Sequence, residues 1–224
     1  MYGLIITIVI FVCSNMIGSV MRTNEGFITR SFVTHTSMFI LSLLAIYVMK
    51  KSVQFHISAP KIKTIFKPII YGILATIVVN GIITIITKIL GMPVEQNKVT
   101  ASMTPLQVFL FVFVLASIAE ELLFRGFLQD LLSPLTSKKF KLLNREISLP
   151  VLISAVTFGL SHLILILTGA HFLFLLKTIL FTMVLGLIAG YYQGKYNNHV
   201  YAVIVHMSAN LMGLLGSMAV YMSP

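Results

Sequence analysis

Seven apolar runs, each long enough to cross a lipid bilayer as a helix, succeed one another through this sequence: Tyr2 to Met21, Phe32 to Met49, Ile69 to Leu90, Pro105 to about Leu132, Leu149 to Leu167, Phe172 to Tyr192 and Val200 to about Met222. A hydrocarbon core is ~30 Å thick and takes ~20 apolar residues per helical crossing, so each run suffices alone. With short connections, the chain length allows about seven helical crossings in one domain.

The reading is therefore an all-α, polytopic transmembrane helical bundle of about seven helices, with residues 1–224 forming a single integral membrane domain. Gly213 and Gly216 can break the final run into two crossings, which would give eight. The chain is 58% hydrophobic and 10% charged, too apolar for a water-soluble domain of this length. Gly91-Met92-Pro93, Ser133-Pro134, Thr168-Gly169 and Asn197-Asn198 supply turn chemistry between runs, and Pro105 and Pro150 suit first turns of helices. The first run lacks a preceding Lys or Arg and an A-x-A cleavage pattern, so it reads as a retained helix. Cys13 is the single cysteine, and no internal disulfide can form.

A net charge of +10 would suit nucleic acid if the bases formed one surface, but they lie in loops between apolar runs. Membrane lipids with anionic headgroups are the expected partners, and no nucleic acid is expected. Lys50, Lys51, Lys61, Lys63, Lys67, Lys138, Lys139, Lys141, Arg145 and Lys195 fall on one side of the bundle; Arg22, Arg30, Lys98 and Lys88 fall on the other. Basic residues are retained on the cytoplasmic side, which puts the N-terminus in the cytoplasm. Gly186 and Gly190 form a small-xxx-small pair for helix packing, and Val53 to Phe66 reads as an interfacial stretch.

Two of only six acidic residues, Glu120 and Glu121, stand side by side in the fourth run. An ionisable group near the bilayer centre costs at least ~2.5 kcal/mol, so both should face protein or a wet cavity. Glu121 and Arg125 are four apart and share a helix face, whereas Glu120 points about 100° away. Glu121 is thus the partner of Arg125, and Glu120 is left for other work. Two later runs carry matching groups at the same spacing: Phe158 with His162, and His206 with Asn210. A carboxylate, two imidazoles and a carboxamide from three helices, if they converge, can activate a water and hold an oxyanion. His35, His56, His171 and His199 fall near run ends and are assigned to the headgroup region.

Other intramembrane chemistries lack their parts. A paired-aspartate protease needs two aspartates, and Asp130 is alone; no H-E-x-x-H is present. Ser161 follows Gly159 in a G-x-S pattern, but His162 points ~100° away from it; a dyad with His206 stays open.

At Glu120-Glu121-Leu122-Leu123-Phe124-Arg125, Phe158-Gly159-Leu160-Ser161-His162 and His206-Met207-Ser208-Ala209-Asn210 the sequence resembles the CAAX-protease and bacteriocin-processing family of intramembrane glutamate endopeptidases. Each signature is short, but the three occur in order, one per predicted helix, within residues 105–222, the expected catalytic core. The resemblance implies an intramembrane endopeptidase in which Glu120 and His162 activate the attacking water and His206 and Asn210 stabilise the oxyanion. Glu121, Arg125 and Phe158 would support them. It further implies hydrophobic or lipidated peptide or membrane-protein substrates; the small size and compact loops favour a bacterial plasma membrane as the setting. No cofactor is expected. Zinc bound by Glu120, His162 and His206 is the alternative, since carboxylate and imidazole are ordinary zinc ligands. The non-enzymatic alternatives are a bacteriocin-immunity protein or a membrane scaffold, and a proton-coupled transporter is disfavoured because inverted repeats are not visible.

Overall fold

Because lipid offers the backbone no hydrogen-bond partner, each apolar run closes its own ladder and becomes a helix. The computed structural model describes residues 2–20, 26–92, 102–142 and 144–222; Arg22, Pro93 and Lys98 lie outside the described residues. Seven helices among them are long and apolar enough to cross a membrane: α1 (Tyr2–Ser19), α2 (Arg30–Val48), α3 (Ile62–Ile89), α4 (Pro105–Gln129), α5 (Leu149–Ser161, continued as a tighter 3₁₀ turn over His162–Thr168), α6 (Phe172–Tyr196) and α7 (Val200–Met222). The fold is the expected all-α transmembrane bundle. Gly213 and Gly216 do not interrupt α7, so the final run is one crossing.

α4 is the axis of the bundle. Half of its span is buried, against a third or less in every other helix. Thr104 and Gln107 form a reciprocal capping box at its start, and Gln107 also donates to the Gly26 and Phe27 carbonyls, fixing α4 to the entry of α2. α2, α5 and α7 pack around it, while α1 pairs with α2, α3 with α7, and α6 with α5.

The helix is not uniformly α. Val108–Ala116 and Leu122–Gln129 have the wider π-type ladder, and the α stretch Ser117–Glu121 lies between them. Such widening is rare and frequently marks functional sites. Here it coincides with side chains that reach in from three neighbours: Asn210 on α7 donates to the Val112 carbonyl at 3.3 Å, Ser154 on α5 to Phe124 at 2.7 Å, and Gln193 on α6 to Arg125 at 3.0 Å. A carbonyl has two lone pairs, so these bonds stitch the bundle to the backbone of α4 without spending its own ladder.

Two loop regions differ from the sequence reading. Lys139–Leu142 and Arg145–Ser148 pair as a short antiparallel hairpin (β1, β2) between α4 and α5. The start of the supposed interfacial stretch folds inward: Val53 is buried, and Phe55 packs beside Gly126 and the His199 ring. Burial of apolar surface against α4 outweighs a place among headgroups.

Gly72 brings α3 onto α7, since a Cβ there would run into the Val205 carbonyl. A backbone atom cannot swing aside. Gly72→Ala should therefore separate the two helices and cost about 1–3 kcal/mol, read as a lower thermal unfolding midpoint in detergent, whereas Gly81→Ala, with open space around it, should not lower it.

Candidate active site

The site begins with a guanidinium that has no exposed surface. Arg125 Nη1 donates to Glu121 Oε1 at 3.0 Å, one helical turn away, and both side chains are 0% exposed. The Phe158 ring from α5 lies 4.5 Å from the Arg125 guanidinium carbon, a cation–π contact on the face left free by the carboxylate. Room for the charge comes from α6. A Cβ on Gly186 would strike Arg125 Nη2, and one on Gly190 would strike Gln129 Oε1, whose amide nitrogen donates to the Gly190 carbonyl at 3.1 Å. The small-xxx-small pair thus seats two polar side chains of α4 as well as bringing α6 against α5.

Glu120 faces elsewhere, as the α stretch around it requires. Its side chain is 15% exposed, and each carboxylate oxygen meets a different imidazole: Oε1 lies 3.2 Å from His35 Nε2 on α2, and Oε2 lies 3.8 Å from His206 Nε2 on α7. The other nitrogen of His206, Nδ1, is 2.8 Å from Glu121 Oε1, so this ring spans both glutamates. His162 ends the α part of α5, with Nδ1 at 3.0 Å from the Phe158 carbonyl. It lies within electrostatic reach of Glu120, His35 and His206, and no direct hydrogen bond joins it to Glu120. Phe158, fully buried, separates His162 from His206, with ring centroids 5.3 Å and 5.9 Å away.

The partners decide the tautomers. A backbone carbonyl and an ionised carboxylate only accept hydrogen bonds. The Ser31 carbonyl, 2.7 Å from His35 Nδ1, therefore requires Nδ1–H, as do Phe158 for His162 and Glu121 for His206. Three histidines from three helices are each anchored through Nδ1, leaving Nε2 for chemistry.

Glu120, His162 and His206 are thus brought to one place around Phe158, and Asn210 stands one turn beyond His206. Its amide donates to Ser117 Oγ at 3.0 Å and to the Val112 carbonyl, so reaching an oxyanion requires it to turn away from Ser117. Ser161 Oγ donates to the Phe158 carbonyl at 2.7 Å and has no hydrogen bond to a histidine. Among the described residues, no three His, Cys, Asp or Glu side chains stand at metal-holding spacing.

Sequence reasoning missed His35. Its position near the start of an apolar run suggests the headgroup region, yet it is 15% exposed and touches Glu120. The only local signal is Ser31, four residues earlier on the same face, and pairing across helices is not legible from one segment. The headgroup expectation fails for His199 too, which is buried in the α6–α7 connection, 3.3 Å from Gln193 Oε1 and packed on Phe55. Burial pushes its imidazole down to about 4, so it is neutral at physiological pH.

Residues 102–212 match the family model described as Type II CAAX prenyl endopeptidase Rce1-like. All three signatures fall inside the match, and His35 falls outside it. No curated protein and no solved structure matches the chain.

Arg125→Met would leave Glu121 ionised in the core beside His206 alone, a loss on the order of 3–5 kcal/mol in fold stability. Adding Glu121→Gln should recover part of that loss. Thermal unfolding of the two variants in detergent checks the order.

Proposed function

Over residues 102–212 the chain belongs to the Type II CAAX prenyl endopeptidase family, and on that premise we propose that it is an intramembrane endopeptidase with Glu120 as the general base. One observation carries this: Glu120 is the carboxylate that Arg125 does not neutralise, partly exposed and facing imidazole nitrogens.

The reaction follows from the tautomers. The attacking water gives one hydrogen bond to Glu120 Oε2 and the other to the lone pair of His162 Nε2. Glu120 takes a proton as the water oxygen adds to the substrate carbonyl carbon, and the C=O pair becomes an oxyanion. Glu120 passes that proton to His206 Nε2, beside Oε2, and the resulting imidazolium faces the oxyanion that formed in the same step. Glu121 holds the ring through Nδ1. Asn210 supplies a second donor by turning from Ser117. On collapse the C–N bond breaks, the proton on His206 goes to the leaving nitrogen, and the products are an amine and a carboxylic acid that retains the second hydrogen of the water. No covalent enzyme intermediate forms.

The substrate class is a hydrophobic or lipidated peptide or membrane protein. An apolar cleft of about 260 Å³ supports it, lined by Phe39, Leu43, Phe55, Leu122, His199 and Val203. Phe39 is one turn from His35, and Val203 is one turn from His206, so the cleft runs along the two helices that carry those histidines. The lysine-rich loops support a cytoplasmic N-terminus, and the small chain with its compact loops fits a bacterial plasma membrane. Hydrolysis without a bound metal is part of the proposal, and zinc held by Glu120, His162 and His206 is its alternative.

The test is cleavage of hydrophobic and prenylated peptides by the purified protein in nanodiscs. Wild type should cut, and Glu120→Gln should lower the rate by about 10²–10⁴-fold, the usual worth of a general base. Chelator should leave the rate unchanged. Loss on chelation with recovery by zinc would transfer the role to a metal. Absence of cleavage by folded wild type, with a cellular phenotype that survives Glu120→Gln, would make the protein an immunity or scaffold protein.

A further inference from the structure

We infer that His35, on a helix outside the family-matched segment, is a positioning residue of the active site that stores one proton against Glu120 and so keeps the base ionised. The inference rests on the hydrolase reading above.

The geometry supplies a proton count. His35 Nδ1 is 2.7 Å from the Ser31 carbonyl and 3.2 Å from Ser31 Oγ, and the carbonyl claims the Nδ1 hydrogen. A neutral ring then presents a lone pair at Nε2, and Glu120 Oε1, 3.2 Å away, presents another. Two lone pairs do not form a hydrogen bond. The contact needs one proton beyond a neutral imidazole and a carboxylate, held between Nε2 and Oε1.

Charge gives the same number. Glu120 and Glu121 are faced by one permanent cation, Arg125, so the cluster carries one uncompensated negative charge unless a histidine is protonated. In a low-dielectric bundle neutrality is strongly favoured. The groups facing Glu120 are His35 from α2, His162 from α5, His206 from α7, and Glu121 and Arg125 from its own helix. His162 is also the further charged neighbour of His35. Of the three histidines, His35 alone is within hydrogen-bond distance of Glu120, because His206 stands at 3.8 Å. The resting proton therefore belongs to His35.

Its effect on catalysis is specific. With His35 as imidazolium on Oε1, Glu120 is a carboxylate whose other oxygen, Oε2, is open to the water. When Glu120 accepts the water proton the pair is still intact, and no proton has to enter from bulk solvent. Without the cation, the cluster's balancing proton falls to Glu120 itself, and a protonated carboxyl is no longer a base.

The test uses the full chain in nanodiscs, comparing wild type, His35→Gln, His35→Asn and Glu120→Gln. The peptide assay across pH should show kcat for His35→Gln about tenfold or more below wild type at pH 7. The acidic limb of kcat/KM should move up by about one pH unit, with KM within about twofold. A side chain that only packed would not move the limb. Independently of turnover, ¹⁵N-histidine spectra of wild type at pH 7 should show His35, assigned by the signal lost in His35→Asn, with both nitrogens protonated. In Glu120→Gln it should revert to the neutral Nδ1–H form. A neutral His35 in wild type, or His35→Gln with the wild-type rate and pH profile, overturns the inference. Cleavage that survives Glu120→Gln sinks the assignment of Glu120 as the base instead, and the nitrogen spectra then still decide where the proton lies.

Discussion

A guanidinium with no exposed surface, inside a bundle whose outer face is apolar, must be paired or the helix that carries it does not assemble. Arg125 is paired with Glu121 one turn earlier, capped by the Phe158 ring, and fitted into the opening left by Gly186. That arrangement decides much else. It fixes α5 and α6 against α4, and it makes Gly186 a position where a methyl group has no room. It also consumes the negative charge of one glutamate of the adjacent pair, so the other is free.

The second consequence concerns direction. Glu121 also holds His206 through Nδ1, so a fully buried carboxylate sets the tautomer of a ring whose other nitrogen faces Glu120. The same device recurs twice with backbone carbonyls, Ser31 for His35 and Phe158 for His162. Each imidazole is held through Nδ1, which leaves its Nε2 on the opposite edge of the ring. The wide turns of α4 belong to the same scheme, because they accept side chains from α5, α6 and α7 on carbonyls flanking the two glutamates.

The sequence made the crossings legible because bilayer thickness fixes their length and lipid forbids other backbone solutions. The Glu121–Arg125 pair was legible too, since both partners sit on one helix at a spacing that brings side chains together. The contact of His35 with Glu120 joins two helices separated by a third, and nothing in either segment encodes which faces meet. The inward fold of Val53 to Phe55 escaped for a related reason: flanking lysines resemble an interfacial stretch until the surface it packs on is known. The π-type widening in α4 has no period of its own in an almost wholly apolar segment.

Of two neighbouring carboxylates, Glu121 holds the bundle together and Glu120 is spared that work, and thermal unfolding of Glu120→Gln against Glu121→Gln in the same detergent tests that division most directly. Removing charge from the glutamate of the working site should leave the midpoint at or above that of wild type. Removing it from the partner of Arg125 should lower the midpoint by several degrees, as expected when a buried charge loses its counter-ion. Equal midpoints for the two variants, or the larger loss for Glu120→Gln, would contradict the account.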